Sequence, residues 1–174
     1  MPSSKRPTLI ILGTGFSGFS LLKNIDARLF RVIVVSPRNH FIFTPLLPST
    51  TVGTIEFRSI IESIRKVRPD IDYYQTRCKR IDHKKNLIVC EGGLDKKPFN
   101  LAFDYLVIAV GARSNTYGIP GVERYSLFLR DLADARRIRQ RIIDCMEYAA
   151  QPTIGVEERK RLLHFVVVGG GPTG

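Results

Sequence analysis

A short apolar run that ends in a glycine-rich turn constrains this sequence more than any other feature. The run is Leu9-Ile10-Ile11-Leu12, and Gly13-Thr14-Gly15-Phe16-Ser17-Gly18 follows it directly. It is short, partly β-branched and stops at glycine, which favours a buried strand. The apolar residues beyond the turn are spaced as on one face of a helix: Phe19, Leu22 and Ile25. Because Arg31–Val35 has the composition of a second strand, the segment predicts a βαβ unit in a parallel sheet.

The pattern Gly-x-Gly-x-x-Gly occurs twice, at Gly13, Gly15 and Gly18 and again at Gly169, Gly171 and Gly174. In dinucleotide-binding turns the first glycine permits a tight turn, the second lets a pyrophosphate approach the backbone, and the third lets helix and strand pack closely. The helix N-terminus offers its N–H groups to the phosphates. A lone match is weak evidence, but two matches that each follow an apolar run predict two nucleotide sites. The helix that the second copy needs lies beyond Gly174, so we expect this copy not to bind as it stands.

The residues after the second predicted strand do not determine which nucleotide binds at the first site. An acidic residue that would bind a ribose is expected about 20 residues beyond the glycines, but the sequence there reads Ser36-Pro37-Arg38. Ser36 is a candidate for a ribose hydrogen bond. Arg38 is a candidate for binding a 2′-phosphate, which would indicate NADP, or a pyrophosphate. On these residues alone, both NADP and FAD fit the first site.

The rest of the chain divides into short predicted elements. Residues 41–53 have no clear period, and Pro45 and Pro48 exclude a central strand or a helix interior. We predict a helix over about 59–67, a short strand at Tyr73-Tyr74, a β-hairpin or meander over 75–103 and a buried strand over 105–110. A helix capped by Asp131 is predicted over 131–148, followed by a charged linker over 151–161 and a strand over 165–168.

Composition excludes several function classes. The 174 residues contain 27 Lys and Arg against 16 Asp and Glu, which favours an anionic partner. The basic residues are scattered and no nucleic-acid motif accompanies them, so we expect no nucleic-acid partner. No apolar run reaches the roughly 18 residues of a spanning helix. The cysteines, Cys78, Cys90 and Cys145, form no CxxC pair, and we expect no metal site.

Several stretches together resemble the type II, non-electrogenic NADH:quinone oxidoreductases, especially their mitochondrial members. The resemblance covers residues 8–174. Its most specific parts are Ser36–Phe41 with Phe43–Pro48, Ser59–Glu62, Tyr105–Ala112, Asn115–Val122, Phe128-Leu129, Asp134-Ala135 and Arg161–Phe165.

The resemblance implies a Rossmann-like α/β fold in which the first glycine site binds FAD. Gly13, Thr14, Gly15, Phe16, Ser17 and Gly18 would hold the FAD pyrophosphate. Ser36, Pro37 and Arg38 would lie by the adenosine, Arg80 and Ile81 would flank the adenine, and Thr44 and Pro45 would approach the flavin. Ala109, Val110 and Gly111 would lie beneath the FAD. Gly169, Gly171 and Gly174 would belong to the NADH site.

The implied reaction passes a hydride from NADH to the flavin and then two electrons to ubiquinone. The cofactor carries this chemistry, so we expect no catalytic residue in the chain; His40, His83 and His164 are expected to be non-catalytic. The resemblance also implies a peripheral place on the mitochondrial inner membrane and allows a homodimer. Residues 41–58 lack the redox cysteines of disulfide reductases, and the Asn115–Gly121 stretch fits sulfide:quinone reductases less well.

The expected organisation is a FAD-binding part over 8–125, a connecting helix and linker over 126–161, and the start of an NADH domain over 162–174. We expect the chain by itself not to turn over, because the remaining NADH, flavin, quinone and membrane segments of the family would follow Gly174. The alternatives are a non-catalytic nucleotide-binding remnant, a sulfide:quinone reductase-like flavoprotein and an NADP-dependent reductase.

Overall fold

The computed structural model describes residues 6–92 and 96–171, and these residues form nine strands and six α-helices. The strands are β1 (Thr8–Leu12), β2 (Arg31–Val35), β3 (His40–Ile42), β4 (Ile61–Ser63), β5 (Asp72–Tyr74), β6 (Cys78–Asp82), β7 (Leu87–Cys90), β8 (Phe99–Ala102) and β9 (Tyr105–Ile108). The helices are α1 (Phe16–Asn24), α2 (Leu47–Thr51), α3 (Ile64–Val67), α4 (Val122–Tyr125), α5 (Leu132–Ala149) and α6 (Val156–Leu162). The chain divides into two compact units, Met1–Ile42 with Ile61–Arg113, and Phe43–Ile60 with Ser114–Gly174.

The first unit is built on a four-stranded parallel sheet with the order β5-β2-β1-β9. β1 lies between its two partners, with Leu9 opposite both Val32 and Tyr105. The glycine turn and α1 connect β1 to β2, which confirms the predicted βαβ unit and the Rossmann-like α/β class. Both faces of the central strands are covered, which explains why their sequences are continuously apolar rather than alternating.

Two hydrophobic clusters cover the two faces of this sheet. On one face, Leu9, Ile11, Val32 and Val34 pack with α1 and α3. On the other face, their sequence neighbours pack with the meander: Ile10, Leu12, Ile33 and Val35 against Ile88 and Cys90. Successive side chains of a strand point to opposite faces, so the apolar residues of β1 and β2 pack alternately into the two clusters.

The predicted meander over 75–103 is confirmed as an antiparallel sheet of order β6-β7-β8. Its first predicted turn, residues 83–86, joins β6 to β7. The second predicted turn, residues 91–93, extends outside the described residues. The short strand predicted at Tyr73-Tyr74 is also confirmed, as β5.

The second unit is helical. Its longest helix, α5, confirms the predicted helix over 131–148, and Asp131 is its N-cap. Asp131 and Asp134 form a reciprocal capping box at its first turn. Ala135, Cys145 and Ala149 are buried along one face, as the spacing predicts. Within the described residues, none of the helices combines the length and hydropathy needed to cross a bilayer.

The helix predicted over 59–67 is wrong. A 3₁₀ turn covers Phe57–Ile60, strand β4 takes the next three residues, and α3 begins only at Ile64. β4 pairs with β3, so that Ile61 lies opposite Ile42 and Ser63 opposite His40. The sheet hydrogen bonds of this distant partner override the local helical spacing.

Three further elements differ from the prediction. The strand predicted over 105–110 ends at Ile108 and lies at the sheet edge, where the exposed fraction of Ile108 is 61%. The charged linker contains α6, whose acidic residues stand in the first turn and basic residues in the last, an order that suits the helix dipole. Residues 165–168 form no strand, because none of the described residues pairs with them. The prediction also missed the short helices α2 and α4.

Candidate nucleotide site

The first glycine turn is closed by backbone packing. Gly13 has a φ of +103°, and its N–H donates to the carbonyl of Val35 at 2.9 Å. A Cβ on Gly13 would lie 2.3 Å from the Ala109 carbonyl oxygen, and one on Gly18 would lie 2.2 Å from the Gly13 carbonyl oxygen. Both positions therefore require glycine for the fold itself.

Gly15 differs from the other two glycines because a Cβ added to it would meet no atom within 4 Å. Its φ of −77° and ψ of −169° are open to any residue. It is the N-cap of α1, and within the described chain no side chain caps this helix and no acidic residue stands in its first turn. An uncapped helix start next to open space, at the positive end of the dipole, suits an anionic phosphate.

Thr14 fixes the loop that follows β2. Its buried Oγ1 lies 3.0 Å from Ser36 Oγ and within hydrogen-bond distance of two carbonyl oxygens, those of Arg38 at 3.1 Å and His40 at 3.3 Å. The Arg38 N–H donates to Ser36 Oγ at 3.2 Å. The hydroxyl of Ser36 thus contacts both Thr14 and the backbone of Arg38, and it helps to shape the loop.

The side chain of Arg38, which belongs to this loop, is exposed. Its N–H is held by Ser36 and its carbonyl by Thr14, so its backbone is fixed while its guanidinium stays accessible. Pro37 is exposed beside it. Burial, and secondarily the positive charge of Arg38, lowers the pKa of His40 below its ordinary value. The His40 ring is therefore neutral at pH 7, and its Nδ1 lies 2.8 Å from Asn39 Oδ1.

Tyr73 supports the same loop. The sequence analysis did not identify this role of Tyr73. Its buried hydroxyl donates to the Ser36 carbonyl at 3.0 Å. Burial raises the pKa of this hydroxyl, so it stays protonated and able to donate. The Thr76 N–H donates to the same carbonyl at 3.2 Å. A tyrosine within the short strand beside the βαβ unit was the available signal.

The remaining predicted residues of the first unit lie at two places. Ala109 donates its N–H to Leu12 at 2.9 Å, and its carbonyl lies under Gly13; Val110 and Gly111 follow it and are exposed. Arg80 and Ile81 lie on β6 just after an irregularity in its register and are both exposed.

Thr44 and Pro45 belong to the second unit, in a 3₁₀ turn over Thr44–Leu46 that leads into α2. Of the second glycine pattern, Gly169 has a φ of +113°, close to that of Gly13. Gly171 has open space where a Cβ would be, whereas Gly174 lies outside the described residues.

Comparison with known proteins explains this geometry. The family profile of the pyridine nucleotide-disulphide oxidoreductases matches residues 7–174. This chain belongs to that family. FAD is the flavin cofactor of the family, and the open, uncapped turn at Gly15 fits its pyrophosphate.

Curated relatives of this family member are longer than the chain. The mitochondrial external alternative NAD(P)H-ubiquinone oxidoreductase B2 of Arabidopsis thaliana is 50% identical over 98% of the chain and 31% of its own length. The mitochondrial external alternative NADH-ubiquinone oxidoreductase of Yarrowia lipolytica is 48% identical over 99% of the chain and 31% of its own length. The chain thus spans about a third of the curated relatives it matches.

A solved structure agrees with the sequence relatives. NDH2 of Plasmodium falciparum, in complex with NADH, superposes with a TM-score of 0.85 at 38% identity. The match covers 90% of this chain and 33% of that one.

Proposed function

We propose that this chain is a FAD-binding part of a non-proton-pumping NADH:ubiquinone oxidoreductase. The observation that carries the proposal is the first glycine turn, in which two glycines are required by backbone packing and the third opens onto free space. Identity of 50% to a relative named for the oxidation of NAD(P)H by ubiquinone supports the activity. The family supplies the flavin.

We assign the cofactor contacts as follows. The turn of residues 13–18 holds the pyrophosphate with backbone N–H groups, and the start of α1 adds the positive end of its dipole. We assign Ser36, Pro37 and Arg38, on the loop held by Thr14, to the adenosine end of the cofactor. Ala109, Val110 and Gly111 are assigned to the surface beneath the FAD. Thr44 and Pro45, Arg80 and Ile81, and the second set Gly169, Gly171 and Gly174 keep their assignments as proposals.

When bound by the turn of residues 13–18, FAD would supply the redox chemistry, namely hydride acceptance from NADH and electron transfer to a quinone. The chain's own residues position it and move no proton. His40 is neutral and held beside Asn39, so it has a structural part in the loop. We assign no catalytic residue to these 174 positions.

The same relatives support the wider setting. We assign NADH and ubiquinone as substrates, no nucleic acid as partner, and a peripheral place at the mitochondrial inner membrane, with a homodimer as a further proposal. The chain spans about a third of these relatives, and we expect it to bind flavin.

The test compares two valine variants that share a backbone conformation. Gly15 and Gly155 are both N-caps in extended conformation with open space at the Cβ position. Gly15→Val fills the proposed pyrophosphate cradle, whereas Gly155→Val changes the start of α6. Each chain is incubated with FAD, desalted and measured by visible absorbance, with circular dichroism as the folding control.

We expect the wild-type chain and Gly155→Val to retain flavin bands and Gly15→Val to lose them, with unchanged circular dichroism for all three. Adding NADP as a competitor should not reduce flavin retention. Equal flavin binding by both variants would contradict the assignment of the turn, and displacement by NADP would favour the NADP-dependent reductase instead.

A further inference from the structure

Cys78 and Cys90 lie opposite each other on neighbouring strands of the meander. They are register partners in the antiparallel pair of β6 and β7. The adjacent pair is joined by a hydrogen bond from the Glu91 N–H to the Arg77 carbonyl at 2.9 Å. Cys78 is therefore the last residue of this register before the shift between Cys78 and Arg80.

This position suits a covalent bond between the two sulfurs. Directly opposite residues of an antiparallel pair have Cα atoms about 4.5–5.5 Å apart, inside the range of roughly 4.4–6.8 Å that disulfides span. Both side chains belong to the apolar cluster on the inner face of the meander. Both are free thiols in the structure.

The two thiols differ in access and in acidity. Cys90 is fully buried, and burial together with the nearby Cys78 raises its pKa to about 11. Cys78 is partly exposed, burial raises its pKa as well, and its Sγ donates to the Arg80 carbonyl at 3.5 Å. An oxidant therefore reaches Cys78 first, and both thiols stay reduced when none is present.

We propose that Cys78 and Cys90 form a cross-strand disulfide when the chain meets hydrogen peroxide. The Cys78 thiolate attacks one peroxide oxygen, which forms a sulfenic acid and releases the other oxygen as water after proton uptake. The Cys90 thiolate then attacks the Cys78 sulfur, and the S–O bond breaks to release a second water. Two thiols and one peroxide give one disulfide and two waters, with two electrons passing from sulfur to peroxide.

The disulfide changes the edge strand of the meander. It replaces the hydrogen bond from Cys78 to the Arg80 carbonyl, at the point where the register of β6 is irregular. β6 then becomes covalently joined to β7, and the strand that carries Arg80 and Ile81 can no longer separate from its partner.

The test treats the folded chain with hydrogen peroxide, alkylates the remaining thiols and measures intact and peptide masses. We expect the mass to fall by two hydrogens, the three thiols of the chain to fall to one, and the alkylated one to be Cys145. Cys145→Ser should form the same disulfide, whereas Cys78→Ser and Cys90→Ala should form none. Circular dichroism establishes that each variant is folded.

The denatured chain is the control for proximity in the fold. In guanidinium we expect disulfides that involve Cys145 to appear beside Cys78–Cys90, because the strand register no longer selects which thiols pair. Oxygen addition at Cys78 without a disulfide, pairing that involves Cys145 in the folded chain, or the same distribution of pairs in folded and denatured chains would each overturn the proposal.

Discussion

At the scale of single residues, Thr14 connects the glycine turn to the loop that carries Arg38. Its hydroxyl lies close to one side-chain oxygen and two carbonyl oxygens, and it is buried. A buried polar group that loses its partner incurs the full cost of desolvation. The structure shows that the side chain of Thr14 bonds within the protein, and the proposed contact of residue 14 with the pyrophosphate is one of its backbone.

We predict that Thr14→Val lowers the free energy of unfolding by about 1–3 kcal/mol, because the nearly isosteric valine cannot hydrogen-bond to the buried Ser36 hydroxyl or to a loop carbonyl. Urea unfolding followed by circular dichroism measures this change. Thr54→Val, at an exposed threonine, is the matched control and should stay within about 0.5 kcal/mol of wild type. Equal effects of the two substitutions would show that Thr14 holds no essential hydrogen bond.

At the scale of elements, local signals determine α5, whereas distant pairing determines β4. In α5 the Asp131 carboxylate accepts from the Asp134 N–H at 3.0 Å, and the Asp134 carboxylate accepts from the Asp131 N–H at 3.2 Å. Both partners lie within one turn, so the sequence was sufficient to place the start of the helix. Residues 61–63 have their hydrogen-bond partners in β3, about twenty positions earlier in the chain, and no helical spacing reveals that.

We predict that Asp131→Ala lowers the free energy of unfolding by about 1 kcal/mol, since the first turn of α5 loses its cap. Asp131→Ser should restore most of the loss. Asp144→Ala on the same helix removes an exposed contact with Gln140 and should change stability by less than about 0.5 kcal/mol. Chemical unfolding compares all three variants, and a loss at Asp144 as large as that at Asp131 would contradict the capping role.

At the scale of the whole molecule, apolar surface remains uncovered. In the second unit, Val166, Val167 and Val168 have exposed fractions of 72%, 72% and 93%. In the first unit, Ile108 on the edge strand and Val110 beyond it have exposed fractions of 61% and 68%. Exposed apolar segments and open strand edges favour association between chains.

We predict that the chain self-associates and that Val168→Lys reduces this association without changing the unfolding midpoint, because Val168 is almost fully exposed. Light scattering over a concentration series measures the effect. Gln151→Lys adds the same charge at another exposed position without removing apolar surface. If Gln151→Lys reduced association equally, charge rather than the apolar segment would be responsible.

The sequence alone predicted the βαβ unit, the parallel sheet, the meander, the capped helix α5, the separate roles of the three glycines and the family, because each is marked by a local pattern of apolar residues, turns and caps or by a fixed motif. The cofactor assignments to single residues stay predictions. Tertiary structure decided that Gly13 packs against the carbonyl of Ala109, that Ser36 turns inward to Thr14, and that residues 61–63 form a strand. These outcomes depend on which distant atoms come within hydrogen-bond or van der Waals distance. Such distances cannot be inferred from the spacing of residues along the chain.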